Sequence, residues 1–318
     1  MTRPTLQHRL EYGLARAMES AVGRLTPAAA ARIGGIAGRL AGSPLGIRRE
    51  IVRENLRRAF PEADEHWIAR ITREAYAHLG REAAAMIRLA STDPAGVSGM
   101  VEIPDEDWAG FKGSLAEGRG AIVATGHYGN WEVAAAAVAA RGVPIVAIVK
   151  RQNNPLVDAR LEEARRALGV ETVEMGDAPR RIPRALMRGK AVGIVADQDA
   201  RASGEWIPFF GVPASTHVGP AVFALRLGSP LFAVTARRMA DGRYRVTARR
   251  VEARPTGDLE ADVIRVTTAL ARDLEDEIRI DPTQYFWFHK RWKTPPPEEP
   301  LRGETGTTSH SAQGKDLP

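Results

Sequence analysis

Residues 121–140 read AIVATGHYGNWEVAAAAVAA, and the two halves of this stretch carry different patterns. Ala121 to Thr125 are mostly apolar and partly β-branched, as in a buried strand, whereas Trp131 to Ala140 are rich in alanine and valine without proline or interior glycine, as in a helix. Gly126–Asn130 is therefore a βα turn, in which Gly126 and Gly129 permit unusual backbone angles and Asn130 suits the N-cap. In open α/β sheets this end of a strand is where ligands bind.

His127 falls in that turn and Glu132 in the first helical turn. On a continuous helix, residues five apart diverge by about 140°, but a loop position for His127 lets the two side chains meet. A carboxylate that fixes the imidazole tautomer and stabilises the imidazolium makes histidine a better general base. The same spacing also suits a capped helix in which Glu132 merely complements the dipole and His127 is a turn residue.

Apolar runs at 121–125, 143–149, 191–196 and 230–235 alternate with helical segments near 131–140, 155–168, 179–188 and 217–227. This alternation predicts an α/β fold, a largely parallel or mixed sheet flanked by helices. Tyr244 to Val251 alternates like a half-exposed strand after the turn Asp241-Gly242, and a last helix is expected over 258–279, stopped by Asp281-Pro282. Before residue 95 the periodicity is helical throughout. Leu10, Leu14, Met18, Val22 and Leu25 share one face, Thr26-Pro27 starts a second helix, Ile51–Phe60 suggests a third, and Asp64–Ala90 forms a fourth.

Charge is unevenly placed. Residues 1–60 hold eleven arginines against four glutamates, a surplus of +7, while the whole 318-residue chain is only +6. A basic amphipathic arm of this kind fits an anionic membrane surface, or an ordinary helical layer with a solvated basic face. No basic–aromatic strip, helix-turn-helix signature or metal finger accompanies the charge, which argues against nucleic acid. The chain has no cysteine, so disulfides and thiolate metal sites are excluded. Neither an 18-residue apolar run nor a signal-peptide pattern occurs, so a peripheral or monotopic attachment is expected rather than a spanning helix.

Six blocks, in order, carry a family resemblance: NLRRAFPE at 55–62, GHYGNWE at 126–132, KRQNNPLVDARLEEARRALG at 150–169, GIVADQD at 193–199, PFFGVPASTHVGPAVFALRLGSPLFAV at 208–234 and QYFWFHKRWKTPP at 284–296. Together they resemble the bacterial lipid A biosynthesis (lauroyl and myristoyl) acyltransferases of the glycerolipid acyltransferase superfamily, whose H-x4-D/E motif matches His127 and Glu132. The resemblance spans about residues 10–297. It implies an N-terminal membrane-associating helical region over 1–95 and an α/β acyltransferase domain over 96–297; the tail over 298–318 lies outside it, lacks apolar residues able to offset ordering entropy and is expected to be disordered.

It further implies acyl transfer from an acyl carrier protein thioester to a hydroxyl of a lipid A precursor, a glycolipid, at the cytoplasmic face of the inner membrane, without metal or organic cofactor. His127 would be the base and Glu132 its orienter. Substrate-binding candidates are Gly129, Asn130, Arg151, Asn154, Arg165, Asp197, Gln198, Asp199 and Thr216, and backbone amides around Gly129–Trp131 are candidate oxyanion donors. Arg151 and Arg165 would meet anions, and Asp197-Gln198-Asp199 emerge where a strand ends. Phe209 and Phe210 fit either a core or an acyl groove. His289 has no carboxylate near it in sequence and is read as non-catalytic. With no cysteine and no G-x-S-x-G elbow, direct transfer is expected rather than an acyl-enzyme. Alternatives are another acceptor such as a phosphatidylinositol mannoside, a hydrolase in which His127 activates water, or a non-catalytic membrane scaffold.

Overall fold

The computed structural model describes residues 4–297; the tail expected to be disordered lies outside them. The N-terminal layer comprises α1 (Leu6–Gly23), α2 (Pro27–Gly42), α3 (Arg49–Ala59) and α4 (Glu65–Leu89), followed by the short α5 (Pro94–Gly99). The remainder runs β1 (Val101–Glu102), α6 (Asp105–Leu115), β2 (Ala121–Thr125), α7 (Trp131–Ala140), β3 (Ile145–Val149), α8 (Pro155–Ala167), β4 (Val170–Glu174), α9 (Ala178–Met187) and β5 (Ala191–Val195). A hairpin of β6 (Glu205–Phe209) and β7 (Val212–Thr216) follows, then α10 (Gly219–Leu227), β8 (Leu231–Arg238), β9 (Tyr244–Val251) and α11 (Leu259–Ile280).

The expected α/β architecture is present: a seven-stranded sheet ordered β1-β9-β8-β2-β5-β3-β4, parallel except for the β8–β9 pair. Two departures from the sequence reading have local causes. β4, the edge strand Val170-Glu171-Thr172-Val173-Glu174, is hidden in sequence because only its buried residues Val170 and Val173 are strongly apolar. Residues 205–216 form a separate two-stranded hairpin whose Ile207, Phe209 and Ala214 sit in the core.

Both faces of the sheet are covered. The crossovers β2–α7–β3 and β3–α8–β4 advance in one direction and place α7 and α8 on one face, while the return β4–α9–β5 places α9 on the other. Accordingly Val133 and Ala137 of α7 pack with Phe111 and Phe232, whereas Ile182 and Leu186 of α9 pack with Ala221 of α10 and Val266 of α11. A third cluster joins Val52, Leu56, Ile68 and Tyr76 of the helical layer to Phe209, Phe210, Trp287 and Phe288. Asn55 donates to the carbonyls of Trp287 and His289, each at 2.7 Å, which fastens α3 to the same aromatic segment.

Within the helical layer, α2 crosses α4 at backbone contact. A Cβ on Gly38 would lie 1.9 Å from the Tyr76 carbonyl oxygen, and one on Gly80 would lie 1.9 Å from that of Gly34. Glycine is required there by the close approach of the helices, since all three positions are ordinary helix. Gly80→Ala and Gly38→Ala should each cost at least about 1–3 kcal/mol, as overpacking does, lowering the urea midpoint at constant slope. Gly110→Ala, where a Cβ meets nothing within 4 Å, should instead stabilise by up to about 1 kcal/mol through helix propensity.

Candidate active site

His127 lies two residues beyond β2, and Asp197 lies two residues beyond β5. The strands are parallel neighbours with Thr125 opposite Val195, so the register sets the two residues side by side. Asp197 clamps the histidine twice: Oδ2 accepts the His127 backbone N–H at 2.8 Å, and Oδ1 meets ring Nδ1 at 2.6 Å. Asp197 is buried, and its pKa is nonetheless about 2. Burial pushes it up, but the His127 charge, the hydrogen bonds from His127 and the Arg291 charge more than reverse that. For His127 burial pushes the pKa down, and the Asp197 charge and hydrogen bond outweigh it, so the value lies above the ordinary histidine range.

An ionised Asp197 holds the proton on Nδ1 and leaves Nε2 as the basic atom. The Gln198 side-chain amide nitrogen is 3.3 Å from Nε2. Trp131 stands edge-on to the imidazole with ring centroids 4.6 Å apart, and Phe286 follows at 5.9 Å. The turn itself is paired to the C-terminal aromatic segment: the Phe286 amide donates to the His127 carbonyl at 2.9 Å, and the Gly129 amide donates to the Gln284 carbonyl at 3.0 Å. His127, Trp131 and Phe286 border a cavity of about 110 Å³ whose far wall is α4, with Leu79 and Met86 among its residues. That is room for three or four water-sized groups.

Glu132 does not orient His127. Its carboxylate projects from the first turn of α7 toward α8, where Arg165 grips it with Nε at 3.0 Å from Oε2 and Nη2 at 2.5 Å from Oε1. Arg165, expected to meet a substrate anion, is thereby committed to Glu132, and that bond and charge raise its pKa against the effect of burial. Arg151 pairs with Glu174 across the ends of β3 and β4 and is largely exposed, outside the lining of the His127 cavity. Asn154 is a structural residue. It caps α8 and donates to the His8 carbonyl and Glu11 of α1 at 2.9 and 2.8 Å.

The oxyanion expectation is narrowed in the same way. The Gly129 amide is taken by Gln284, and the Asn130 amide donates to the Ala236 carbonyl at 2.9 Å, leaving Trp131 of the three. Gly129 has φ +56°, and a Cβ there would strike the Ala236 carbonyl oxygen at 1.9 Å, so its identity follows from backbone approach. Asn130 caps α7 by accepting the Val133 amide at 3.1 Å. The Asp199 carboxylate accepts the Thr294 hydroxyl at 3.0 Å, and its amide donates to His289 Nε2 at 2.9 Å. Thr216 accepts from buried Arg291 at 2.6 Å and borders, with Asp197 and His217, a second cavity of about 60 Å³ between the sheet and α11.

Glu82, absent from the sequence reading, is the buried centre of a polar cluster. It accepts from Asn130 Nδ2 at 2.8 Å, the Tyr244 hydroxyl at 2.7 Å and Arg238 at 3.2 Å. His78 lies one turn before it and is likewise buried, which lowers its pKa. The available signal was a His and a Glu four apart on the apolar face of the Asp64–Ala90 helix, a place where charges are rare unless paired. Among the described residues no cluster of His, Asp and Glu could hold a metal ion.

The profile of the bacterial lipid A biosynthesis acyltransferases matches residues 6–294. The chain belongs to that family. It is thereby an acyltransferase. It is similar to the phosphatidylinositol mannoside acyltransferase of Mycolicibacterium smegmatis, 27% identical over 258 residues covering 79% of this chain and 80% of the relative. The Escherichia coli lipid A biosynthesis palmitoleoyltransferase is 26% identical over 258 residues, 78% of this chain and 80% of the relative. The Escherichia coli lipid A biosynthesis myristoyltransferase is 28% identical over 277 residues, 85% and 81% respectively.

The two carboxylates in the turn region separate by experiment. Since Nε2 must be unprotonated to act as a base, the rate should fall on acidification through a pKa above 6.5. Asp197→Asn removes the group that raises that pKa, so its acid limb should move to lower pH while the plateau of kcat/KM drops about 10²–10⁴-fold. Glu132→Gln should leave the limb in place and show its main effect as lost thermal stability, because its partner is Arg165.

Proposed function

We propose that this protein transfers a fatty acyl group from the thioester of an acyl carrier protein to a hydroxyl of a lipid A precursor. The observation that carries the reading is the buried Asp197–His127 pair at the end of β2, with Nε2 beside an apolar cavity. The acceptor hydroxyl replaces the Gln198 amide at Nε2 and gives up its proton as its oxygen attacks the thioester carbonyl. A tetrahedral intermediate forms, with the Trp131 amide at the start of α7 as the oxyanion donor in reach. Collapse breaks the carbon–sulfur bond, and the imidazolium returns the proton to the departing thiolate. His127 is the catalytic base, Asp197 its positioning residue, and the Glu132–Arg165 fork holds α7 against α8.

A second acceptor class is favoured by a specific similarity. The Mycolicibacterium smegmatis relative is named for phosphatidylinositol mannoside and matches over as much of its length as the Escherichia coli palmitoleoyltransferase does. A glycolipid with a different head group is therefore the alternative acceptor.

Attachment to the membrane surface belongs to the same proposal. No helix among the described residues is long and apolar enough to cross a membrane. Among the described residues, nine of the fourteen large exposed apolar side chains nevertheless fall within residues 6–47, concentrated on the helical layer. Leu6, Leu10, Leu14 and Met18 make one row along α1, and Ile33, Ile36 and Leu40 lie on α2. Large contiguous apolar patches mark interaction surfaces, and the arginine surplus of this arm suits the anionic cytoplasmic face of the inner membrane.

Incubation with acyl carrier protein thioesters and a panel of glycolipids, read by mass spectrometry, should yield an acylated lipid. His127→Ala should reduce its formation at least about 10²-fold with the fold intact; turnover at the wild-type rate would refute the mechanism, and release of free fatty acid alone would mark a hydrolase. Flotation on anionic vesicles should fall several-fold in Leu10→Glu/Leu14→Glu/Ile36→Glu, and unchanged flotation would put the membrane contact elsewhere.

A further inference from the structure

The segment Ala178–Lys190 contains four arginines, one lysine and no acidic residue. Ala178, Ile182, Ala185 and Leu186 form the buried face of α9, leaving Arg180, Arg181, Arg184 and Arg188 exposed. Among the described residues, Arg181, Arg184 and Arg188 pair with no carboxylate; Arg180 is 3.4 Å from Asp177, and Lys190 pairs with Glu171. Single arginines without a carboxylate partner, such as Arg9, Arg32, Arg70 and Arg226, occur on other helices among the described residues, but α9 gathers three at i, i+3 and i+7 on one face, and most arginines of α8 and α3 are paired. Arg160, Arg165 and Arg166 on α8 and Arg53 and Arg57 on α3 each meet a carboxylate. Two large apolar side chains, Met175 and Met187, stand exposed at the two ends of the basic stripe, at 54% and 71% of their full area.

We propose that this face of α9 is the docking surface for the acidic carrier protein that delivers the acyl thioester, with Arg181, Arg184 and Arg188 meeting its carboxylates and Met175 and Met187 its apolar contacts. The inference rests on the carrier-thioester donor proposed above. Position supports it. α9 starts just past the end of β4, which lies three strands from β2. At about 4.8 Å per strand the start of α9 is about 14 Å from the His127 turn, and the helix carries Arg184 and Arg188 about another 10–15 Å along the strands toward the opposite sheet edge, so a carrier seated on the stripe delivers its thioester from the Met175–Arg181 end.

The surroundings favour a soluble acidic protein over a lipid surface. The exposed apolar rows of α1 and α2 belong to the helical layer, and α1 is tied to α8 through Asn154 and Arg160. α9 lies across the sheet from α8, so a partner can occupy it while α1 and α2 are engaged elsewhere. Unpaired arginines flanked by flexible methionines are also the composition of protein-binding surfaces, where charge complementarity governs encounter and specificity.

Two variants of the full chain test this: Arg181→Glu/Arg184→Glu/Arg188→Glu and the corresponding triple glutamine. Affinity for purified acyl carrier protein, measured directly, should fall at least about tenfold in the glutamate variant and less in the glutamine variant, and wild-type affinity should weaken as salt rises. KM for the carrier-linked thioester should rise in parallel, while turnover of the same acyl chain on a small pantetheine thioester stays constant. Unchanged carrier affinity in both variants overturns the assignment, as does an equal loss with the small thioester. Carrier affinity retained while vesicle flotation falls makes the stripe a lipid contact and also overturns it. Because binding is read without turnover, a protein that binds the carrier through α9 but acylates no lipid refutes the proposed reaction and leaves the docking surface standing. Wild-type protein that acylates lipid from coenzyme A thioesters but does not bind the carrier refutes the docking surface and the carrier donor, and leaves acyl transfer standing.

Discussion

The site depends on one strand being inserted between two others. After β4 the chain returns and places β5 between β2 and β3, with Thr125 level with Val195. Only then do residues 70 apart in sequence stand level beyond adjacent strand ends, where the Asp197 carboxylate can take both the amide and the ring of His127. A shift of one residue in this pairing would turn every side chain of β5 to the opposite face, taking Asp197 away from the imidazole. The buried carboxylate is tolerable because the histidine, backbone and nearby Arg291 compensate its charge.

Much of this is legible in the sequence. The strand–turn–helix at 121–140, the alternation behind the sheet and the helical N-terminal layer follow from periodicity and turn chemistry, as does the position of His127 in the turn. The partner of His127 was not legible. Sequence proximity favours Glu132, whereas strand order decides for Asp197, and strand order is a property of pairings that local pattern does not encode. Asp197, Gln198 and Asp199 stand out in sequence as polar residues at a strand end, but nothing local marks Asp197 as the partner of His127. Arg165 and Asn154 show the converse: residue types suited to binding anions or polar groups are here occupied by neighbours from other elements, Glu132 and α1.

The helical layer and the His127 turn share more than an apolar boundary. Glu82 of α4 holds Asn130, which caps α7, and also Tyr244 and Arg238 of the far strands. A buried carboxylate with three donors is costly to leave partly satisfied, so these elements are fixed relative to one another. On the other side of the turn the Gln284–Phe286 backbone pairs with it directly. His127 is therefore held from β5, from α4 through the α7 cap, and from the C-terminal segment.

The crossing of α2 over α4 has a consequence for geometry at a larger scale. Helices separated by side chains can slide by a rotamer change, but at Gly34, Gly38 and Gly80 the main chains themselves touch, and no side chain is available to yield. α4 in turn forms the wall of the His127 cavity. The outer apolar row on α2 and the His127 imidazole thus sit on a rigid gauge block, and under the proposed membrane attachment the depth at which that row settles would fix the height of the proposed chemistry.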